Sequence, residues 1–184
     1  MGCLCRVNTK ANCRIAESVK VFSPDEIFLG YNVRIDEFCV LSGGKGIVIG
    51  SHVHVAVFCG FFGGGGIIVG DFVGFSSRCT LMSVSDDFSG ESMTNPTIPD
   101  EFKNVHEGLI SIEDHVLFGV GCTVLPGVTI GEGCAIGAYS LVKTDLAPWG
   151  IYAGTPARKI GVRSKKILDQ AKQFLEEYRD DSKV

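Results

Sequence analysis

Large hydrophobic residues recur every six positions along most of this chain, in two blocks that a polar stretch separates. In the first block they form trios, and each trio repeats after 20 positions: Leu29, Ile35, Leu41, Ile49, Val55, Phe61, Val69, Phe75 and Leu81. The second block keeps the spacing of six: Ile112, Phe118, Val124, Ile130, Ile136 and Val142. Six residues suffice for one short strand and one turn, so three such units predict one triangular coil of the chain.

Small residues form a second column, four positions after most of these lead residues. Its members are Val33, Cys39, Val53, Cys59, Val73, Cys79, Val116, Cys122, Val128, Cys134 and Ser140. Coils that pair through their strands stack about 4.8 Å apart, so each inward side chain lies on its equivalent one coil away. The pattern therefore predicts an all-β chain wound as a parallel β-helix, with five of its eight cysteines acting as small buried hydrophobic residues.

The pattern breaks twice, and each break predicts a different element. A loop of residues 82–111 is mostly polar and long for a structureless connection, which is typical of functional loops. At the other end, apolar residues recur at helical spacing over Ser164–Tyr178 and predict an amphipathic helix. We expect this helix to cover the exposed edge of the last strand. The chain thus divides into a β-helix domain, residues 1–163, and a helix with a tail, residues 164–184.

Composition excludes some classes of function. The net charge of −4 argues against nucleic acid as a partner, and no apolar run reaches the length of a membrane span. The opening MGCLCRVNTK lacks the apolar segment of a secretory signal, so we expect a cytoplasmic protein with free thiols. No cysteine spacing typical of a metal site occurs, and the four histidines are not spaced to converge on zinc, as a carbonic anhydrase on this fold would need.

The last coils carry a recognisable sequence. Asp114 to Ile160 comprise DHVLFGVGCTVLPGVTIGEGCAIGAYSLVKTDLAPWGIYAGTPARKI. This stretch resembles the hexapeptide-repeat acyltransferases, and in particular the sugar O- and N-acetyltransferases with a left-handed parallel β-helix. The resemblance implies a homotrimer that binds acetyl-CoA, without a metal, in clefts between neighbouring subunits. The left hand of the coil comes from the resemblance alone.

Acetyl transfer needs a base near the acceptor, and the resemblance leaves that residue open. Related enzymes carry a histidine where this chain has Asp86. His54 precedes the lead residue Val55, should point outward, and is suited to proton transfer near neutral pH. The candidates are therefore His54 as base, with Asp86 of the same or an adjacent subunit orienting it, Asp86 itself, or no side chain. Ser85 and Asp87 are candidate contacts to the acceptor.

The resemblance also carries over contacts to the coenzyme, position by position. Gly119 and Val120 lie where a backbone amide comes near the thioester, and Ala138 lets the pantetheine arm approach. Positive and polar residues for the remaining contacts and for the phosphates are Lys143, Thr144, Arg158, Lys159 and Arg163.

The resemblance implies an acetyl-CoA-dependent acetyltransferase that acts on an amino or hydroxyl group of a sugar. We expect a nucleotide-linked sugar of surface polysaccharide biosynthesis. The alternatives are an acetyltransferase of simple sugars or antibiotics, and a non-catalytic sugar-binding scaffold of the same fold. Nitrogen or oxygen attack, and an acyl chain other than acetyl, stay open.

Overall fold

A computed structural model describes residues 7–178, and within this range the chain is wound into a three-sided parallel β-helix. Three sheets, here named A, B and C in the order in which each coil visits them, form the sides. Cys3, Cys5 and the tail after Tyr178 lie outside the described residues. The predicted fold class, with its long insertion and its C-terminal helix, is confirmed.

Each sheet collects one short strand from every coil. The parallel strands of sheet A are Asn8–Thr9, Ile27–Leu29, Ile47–Ile49, Ile67–Val69, Ile110–Ile112 and Thr129–Ile130. Those of sheet B are Arg14–Ile15, Arg34–Ile35, His54–Val55, Gly74–Phe75, Leu117–Phe118, Ala135–Ile136 and Gly150–Ala153, followed by the antiparallel Arg158–Val162. Those of sheet C are Lys20–Phe22, Val40–Ser42, Gly60–Phe62, Thr80–Met82, Thr123–Val124 and Leu141–Val142.

Both predicted columns point inward and are buried, as the sequence pattern required. Aromatic lead residues from neighbouring coils touch: the ring centroids of Phe75 and Phe118 lie 4.7 Å apart, and those of Phe61 and Phe75 lie 4.9 Å apart. The five cysteines of the small column are free thiols that each donate a weak hydrogen bond to a backbone carbonyl of the next coil. Burial raises the pKa of the Cys134 thiol, so this group stays protonated.

The coil begins one turn earlier than the sequence pattern indicated. Asn8–Thr9 pairs with sheet A, and Cys13 occupies the small column, where its thiol lies 3.1 Å from the carbonyl oxygen of Gly30. This turn has a neighbour on one side only, so its inward positions are less buried and include the exposed Thr9. Because its lead residue Thr9 is polar, this first repeat does not show in the hydrophobic pattern of the sequence.

Glycines after the lead residues serve close packing rather than unusual backbone angles. A Cβ on Gly50 would lie 2.6 Å from the carbonyl oxygen of Gly70, so the stacked backbones leave no room for a side chain. The left-handed conformations fall elsewhere, at corner residues that include Phe38, His52 and Phe72. The hydrogen bonds of the stacked coils hold these non-glycine residues in a conformation that is otherwise uncommon.

The insertion leaves the coil at the corner between sheets C and A. Its base is an antiparallel pair, Val84–Ser85 with His106–Glu107, and it also contains the short 3-10 helix Asp100–Phe102; a second one, Pro24–Glu26, lies in the first coil. Gly64 makes room for this strand pair, because a Cβ on Gly64 would lie 2.8 Å from the side chain of Val84. Coiling resumes at Ile110, so the irregular part is two residues shorter at its end than predicted.

The C-terminal helix, Lys166–Glu177, forms as predicted, but its expected position was wrong. It lies along the corner between sheets A and B, where Phe174 packs edge-on against His52 and Phe72. The end of the stack is covered instead by the antiparallel strand Arg158–Val162, which pairs with the last parallel strand. That strand already satisfies the exposed edge, so the helix is free to run back along the coils.

Phe118→Ala tests the continuous core. We expect it to lower the free energy of unfolding by about 3–5 kcal/mol, because the cavity would interrupt the stacked rings of two neighbouring coils. Denaturant unfolding at one fixed protein concentration measures this change. Phe88→Ala is the matched control, since Phe88 is 93% exposed. Equal losses in both variants would contradict a core shared between coils.

Candidate functional site

Sheet B presents one outward column of polar and small residues over its first four coils. Arg14 pairs with Arg34, Arg34 with His54, and His54 with Gly74, each in register with the next. The predicted outward direction of His54 is confirmed, since half of its side chain is exposed. The same stacking that aligns the core therefore aligns two guanidinium groups and an imidazole on one face.

A carboxylate that sequence reasoning missed links two side chains of this column. Asp36 accepts a hydrogen bond from Nε2 of His54 at 2.8 Å and one from Nε of Arg34 at 2.7 Å, through different oxygens. The hydrogen bond from His54, followed by that from Arg34, lowers the pKa of Asp36 below its usual value. With Nε2 donating, Nδ1 of His54 is the ring atom that can take up a proton. The period of 20 could have revealed this contact, because it stacks Arg34 against His54 and Asp36 lies only two positions after Arg34.

A niche of about 270 Å³ opens beside His54, where the next residue of the column lacks a side chain. Its walls are His54, Ala56, Gly74, Ser76 and Leu117, together with Ser77 and the edge of Phe75. This volume is near the lower end for ligand sites, so the niche suits one small group rather than a whole cofactor. His54 and two hydroxyls are the polar groups that line it.

Several backbone N–H groups along the corner between sheets B and C are free among the described residues, and those of Val120 and Ala138 belong to the last coils. Gly119 donates its own N–H to the carbonyl of Ile136, whereas the N–H groups of Val120 and Ala138 donate to no protein group. Gly119 cannot carry a side chain, because its Cβ would lie 2.6 Å from the nitrogen of Ala138. Of the two candidates for the thioester contact, Val120 is thus the one with an available donor.

The other residues predicted to contact the coenzyme lie on the last coils. Lys143, Thr144, Arg158 and Lys159 are exposed, and all of them follow the corner of Ala138 along the chain. Arg163 has a structural role that the sequence did not indicate: its Nη1 donates to the carbonyls of His115, Gly133 and Cys134. Its contact with a phosphate stays a prediction.

The insertion holds the remaining candidates and a rigid turn. Asp87 is buried and accepts hydrogen bonds from the N–H and hydroxyl of Ser89 and from the hydroxyl of Ser92. These donors, the N–H of Ser89 first, lower the pKa of Asp87 to about 2. Ser85 donates its hydroxyl to the backbone carbonyl of Asp86. Asp87 thus orders the turn, while the carboxylate of Asp86 accepts no hydrogen bond from the described residues.

His54 and Asp86 lie on opposite sides of one chain. Asp86 follows the strand Val84–Ser85 at the corner between sheets C and A, and this corner faces away from sheet B in a three-sided coil. The orienting contact expected from Asp86 to His54 is therefore absent among residues 7–178 of a single chain, and Asp36 makes it instead.

Two absences hold for the part of the chain that the structure describes. It contains no group of three or more His, Cys, Asp or Glu residues placed to hold a metal ion. None of its helices combines the length and the hydrophobicity that crossing a membrane requires.

Asp87→Asn tests the turn in the insertion. The folded state holds the pKa of Asp87 at about 2 against about 3.9 in the unfolded chain, so its stabilising effect is complete above about pH 5. We expect the thermal midpoint to drop in the variant by an amount that is constant from pH 7 to 5. That difference should shrink as the pH falls from about 4 towards about 2. Glu101→Gln, an exposed residue of the same insertion, should show no such trend. A difference that grows in acid would contradict the assignment.

Comparisons with known proteins bear on the whole chain. Residues 110–144 match the family model described as bacterial transferase hexapeptide (six repeats). Over 164 residues the chain is 41% identical to the dTDP-4-amino-4,6-dideoxy-D-glucose acyltransferase of Escherichia coli, covering 89% of this chain and 85% of that protein.

Solved structures agree with these matches. The N-acyltransferase AntD from Bacillus cereus, in complex with dTDP and 3-hydroxybutyryl-CoA, superposes with a TM-score of 0.90 at 41% identity, over 94% of this chain and 92% of AntD. An AntD variant with a serine replaced, in complex with dTDP-4-amino-4,6-dideoxyglucose and coenzyme A, gives the same TM-score and identity over 92% of this chain and 90% of AntD. With this similarity along nearly its whole length, the chain belongs to the hexapeptide-repeat family of sugar acyltransferases, enzymes built on a left-handed parallel β-helix.

Proposed function

We propose that this enzyme transfers an acyl group from acyl-CoA to the amino group of a nucleotide-linked amino sugar. The carrying observation is the match to an acyltransferase of such a sugar over 89% of the chain, combined with a niche beside His54 and free N–H donors at the corner that follows sheet B. Acetyl is the acyl group expected from the sequence. The 3-hydroxybutyryl-CoA bound to AntD makes a longer chain the alternative.

The reaction joins the two halves of this site. The amine nitrogen attacks the carbonyl carbon of the thioester, and the carbon–sulfur bond of the thioester then breaks. The amine gives up one proton and the leaving sulfur takes one up, so coenzyme A departs as the thiol. The developing oxyanion needs donors, and the N–H of Val120 supplies one in this arrangement, while Ala138 leaves space for the pantetheine arm. Lys143, Thr144, Arg158, Lys159 and Arg163 then serve the remaining groups of the coenzyme.

Both candidate bases stay in the proposal. His54 has a free Nδ1 and is held by Asp36. Asp86 is supported by the relatives: the AntD variants replace a serine and an aspartate that lie ten positions apart in that chain. Ser76 and Asp86 have the same separation here, as do Ser77 and Asp87, and both serines line the niche beside His54. The carboxylate of Asp87 already accepts hydrogen bonds from Ser89 and Ser92, which leaves Asp86 as the candidate. Ser85 and Asp87 then place the insertion against the acceptor.

A complete site would take its groups from two copies of the chain. His54 and Asp86 lie on opposite sides of one coil, so a site that contains both forms only where sheet B of one copy meets the insertion of another. Head-to-tail contacts of this kind close into rings, and the homotrimer expected for the family is the ring that we propose. We place the enzyme in the cytoplasm, in the biosynthesis of surface polysaccharide, where nucleotide-linked sugars are made.

Subunit mixing tests the shared site. Asp86→Asn and His54→Ala should each lower kcat for a nucleotide-linked amino sugar by about 100-fold, because one of the two groups is proposed to accept the proton and the other to position the reacting groups. Hybrids assembled from equal amounts of the two variants should recover activity at about a quarter of their sites, where both intact groups meet. Release of the coenzyme A thiol measures turnover.

Asp100→Asn and His106→Ala, exposed residues of the same insertion, are the matched controls and should keep full turnover. Hybrids no more active than their parents would contradict a site shared between copies. Absence of turnover by the unmodified enzyme with any nucleotide-linked amino sugar would contradict the proposed acceptor.

Ala138→Phe tests the donor groove. Ala138 is exposed at its corner, so a larger side chain should leave the fold intact and obstruct the pantetheine arm. We expect KM for acyl-CoA to rise at least about tenfold, with an unchanged thermal midpoint. Ala147→Phe, an exposed alanine elsewhere on the same coils, should leave KM unchanged. An unaltered KM in Ala138→Phe would place the donor on another corner.

A further inference from the structure

We propose that Arg14 and Arg34, which continue the outward column of His54, form the subsite for the diphosphate of the acceptor. This inference rests on the proposed function and assigns a place to the part of the substrate that does not react. The three side chains form one outward column on neighbouring strands of sheet B, and strands in such a stack are about 4.8 Å apart. That spacing brings successive cations within reach of two linked phosphate groups.

The arginines have hydrogen-bonding capacity that the protein does not use. Among the described residues, the exposed guanidinium of Arg14 makes no hydrogen bond or ion pair. Arg34 donates to Asp36 through Nε alone, and its side chain is 63% exposed. Both of its terminal nitrogens therefore remain available. A guanidinium fork matches the geometry of phosphate oxygens and stays charged at any relevant pH.

Asp36 gives the column a fixed shape. It holds Arg34 and His54 by different oxygens, so these two side chains keep a constant separation and orientation. Exposed ion pairs contribute little to stability, which leaves preorganisation of the cations as the effect that matters here. The positive charges of the two arginines outnumber the single negative charge of Asp36, the carboxylate bonded to this column. The column can therefore still bind an anion.

The direction of the column distinguishes the acceptor from the donor. The niche lies at the His54 end, and the arginines lead away from it towards the first coil. The residues that the proposed function assigns to coenzyme A, from Val120 to Arg163, lie on the last coils. A nucleotide sugar with its amino group in the niche would thus extend its diphosphate over Arg34 and Arg14, while the diphosphate of coenzyme A lies towards the other end.

Calorimetric binding of dTDP and of inorganic pyrophosphate, without any acyl-CoA, tests the subsite in the complete protein. We expect Arg34→Gln and Arg14→Gln each to weaken both ligands about tenfold, as for the loss of a charged hydrogen-bond donor. Affinity for coenzyme A should change less than twofold. Both arginines are exposed, so thermal midpoints should stay unchanged, and Lys172→Gln on the helix is the matched control.

Each outcome separates this inference from the proposed function. Unchanged dTDP affinity in both variants, with turnover of the nucleotide sugar by the unmodified enzyme, would overturn the subsite alone. Loss of coenzyme A affinity in place of dTDP affinity would overturn it by assigning the column to the donor. Weakened dTDP and pyrophosphate binding in an enzyme that acylates no nucleotide-linked amino sugar would support the subsite and overturn the proposed acceptor.

Discussion

In-register stacking of neighbouring coils is the constraint on which the rest of this structure depends. Each strand donates its backbone hydrogen bonds to the coil beside it, so every residue lies against its equivalent one coil away. Inward positions must then be filled by side chains that fit two neighbours at once, such as Phe75 between Phe61 and Phe118. Where backbones come closest, as at Gly50 and Gly70, the same constraint excludes any side chain.

The stacking that builds the core also organises the surface chemistry into columns. Like charges on adjacent strands would repel one another, and Asp36 offsets this by bonding to both Arg34 and His54. On the next coil Gly74 ends the column and leaves a niche. One coil further, the corner that follows Phe118 carries the free N–H of Val120. The inward face of these short strands therefore builds the core, while the outward face carries the candidate site.

The insertion interrupts the coil without opening the core. Ser83 is buried where the chain departs, and its hydroxyl donates to the carbonyl of Phe62 while accepting from the N–H of Gly65. The backbone on both sides of the interruption thus stays hydrogen-bonded. Beyond it, Asp87 fixes its own turn with three donors, so the turn that follows Asp86 is held by residues of the insertion itself.

The sequence by itself determined the coil, because burial at a period of six is set by residues that lie close together in the chain. It also placed His54 outward and the insertion between Leu81 and Ile112. It missed the first coil, where Thr9 and a single neighbour weaken the pattern. Only the tertiary structure decided that the helix lies along a corner, that Asp36 holds His54, and that Asp86 lies across the coil from both. The period of the sequence indicates which residues are stacked on one another. The contacts of long side chains and the path of the chain after the last coil depend on surfaces that exist only once the coils have assembled.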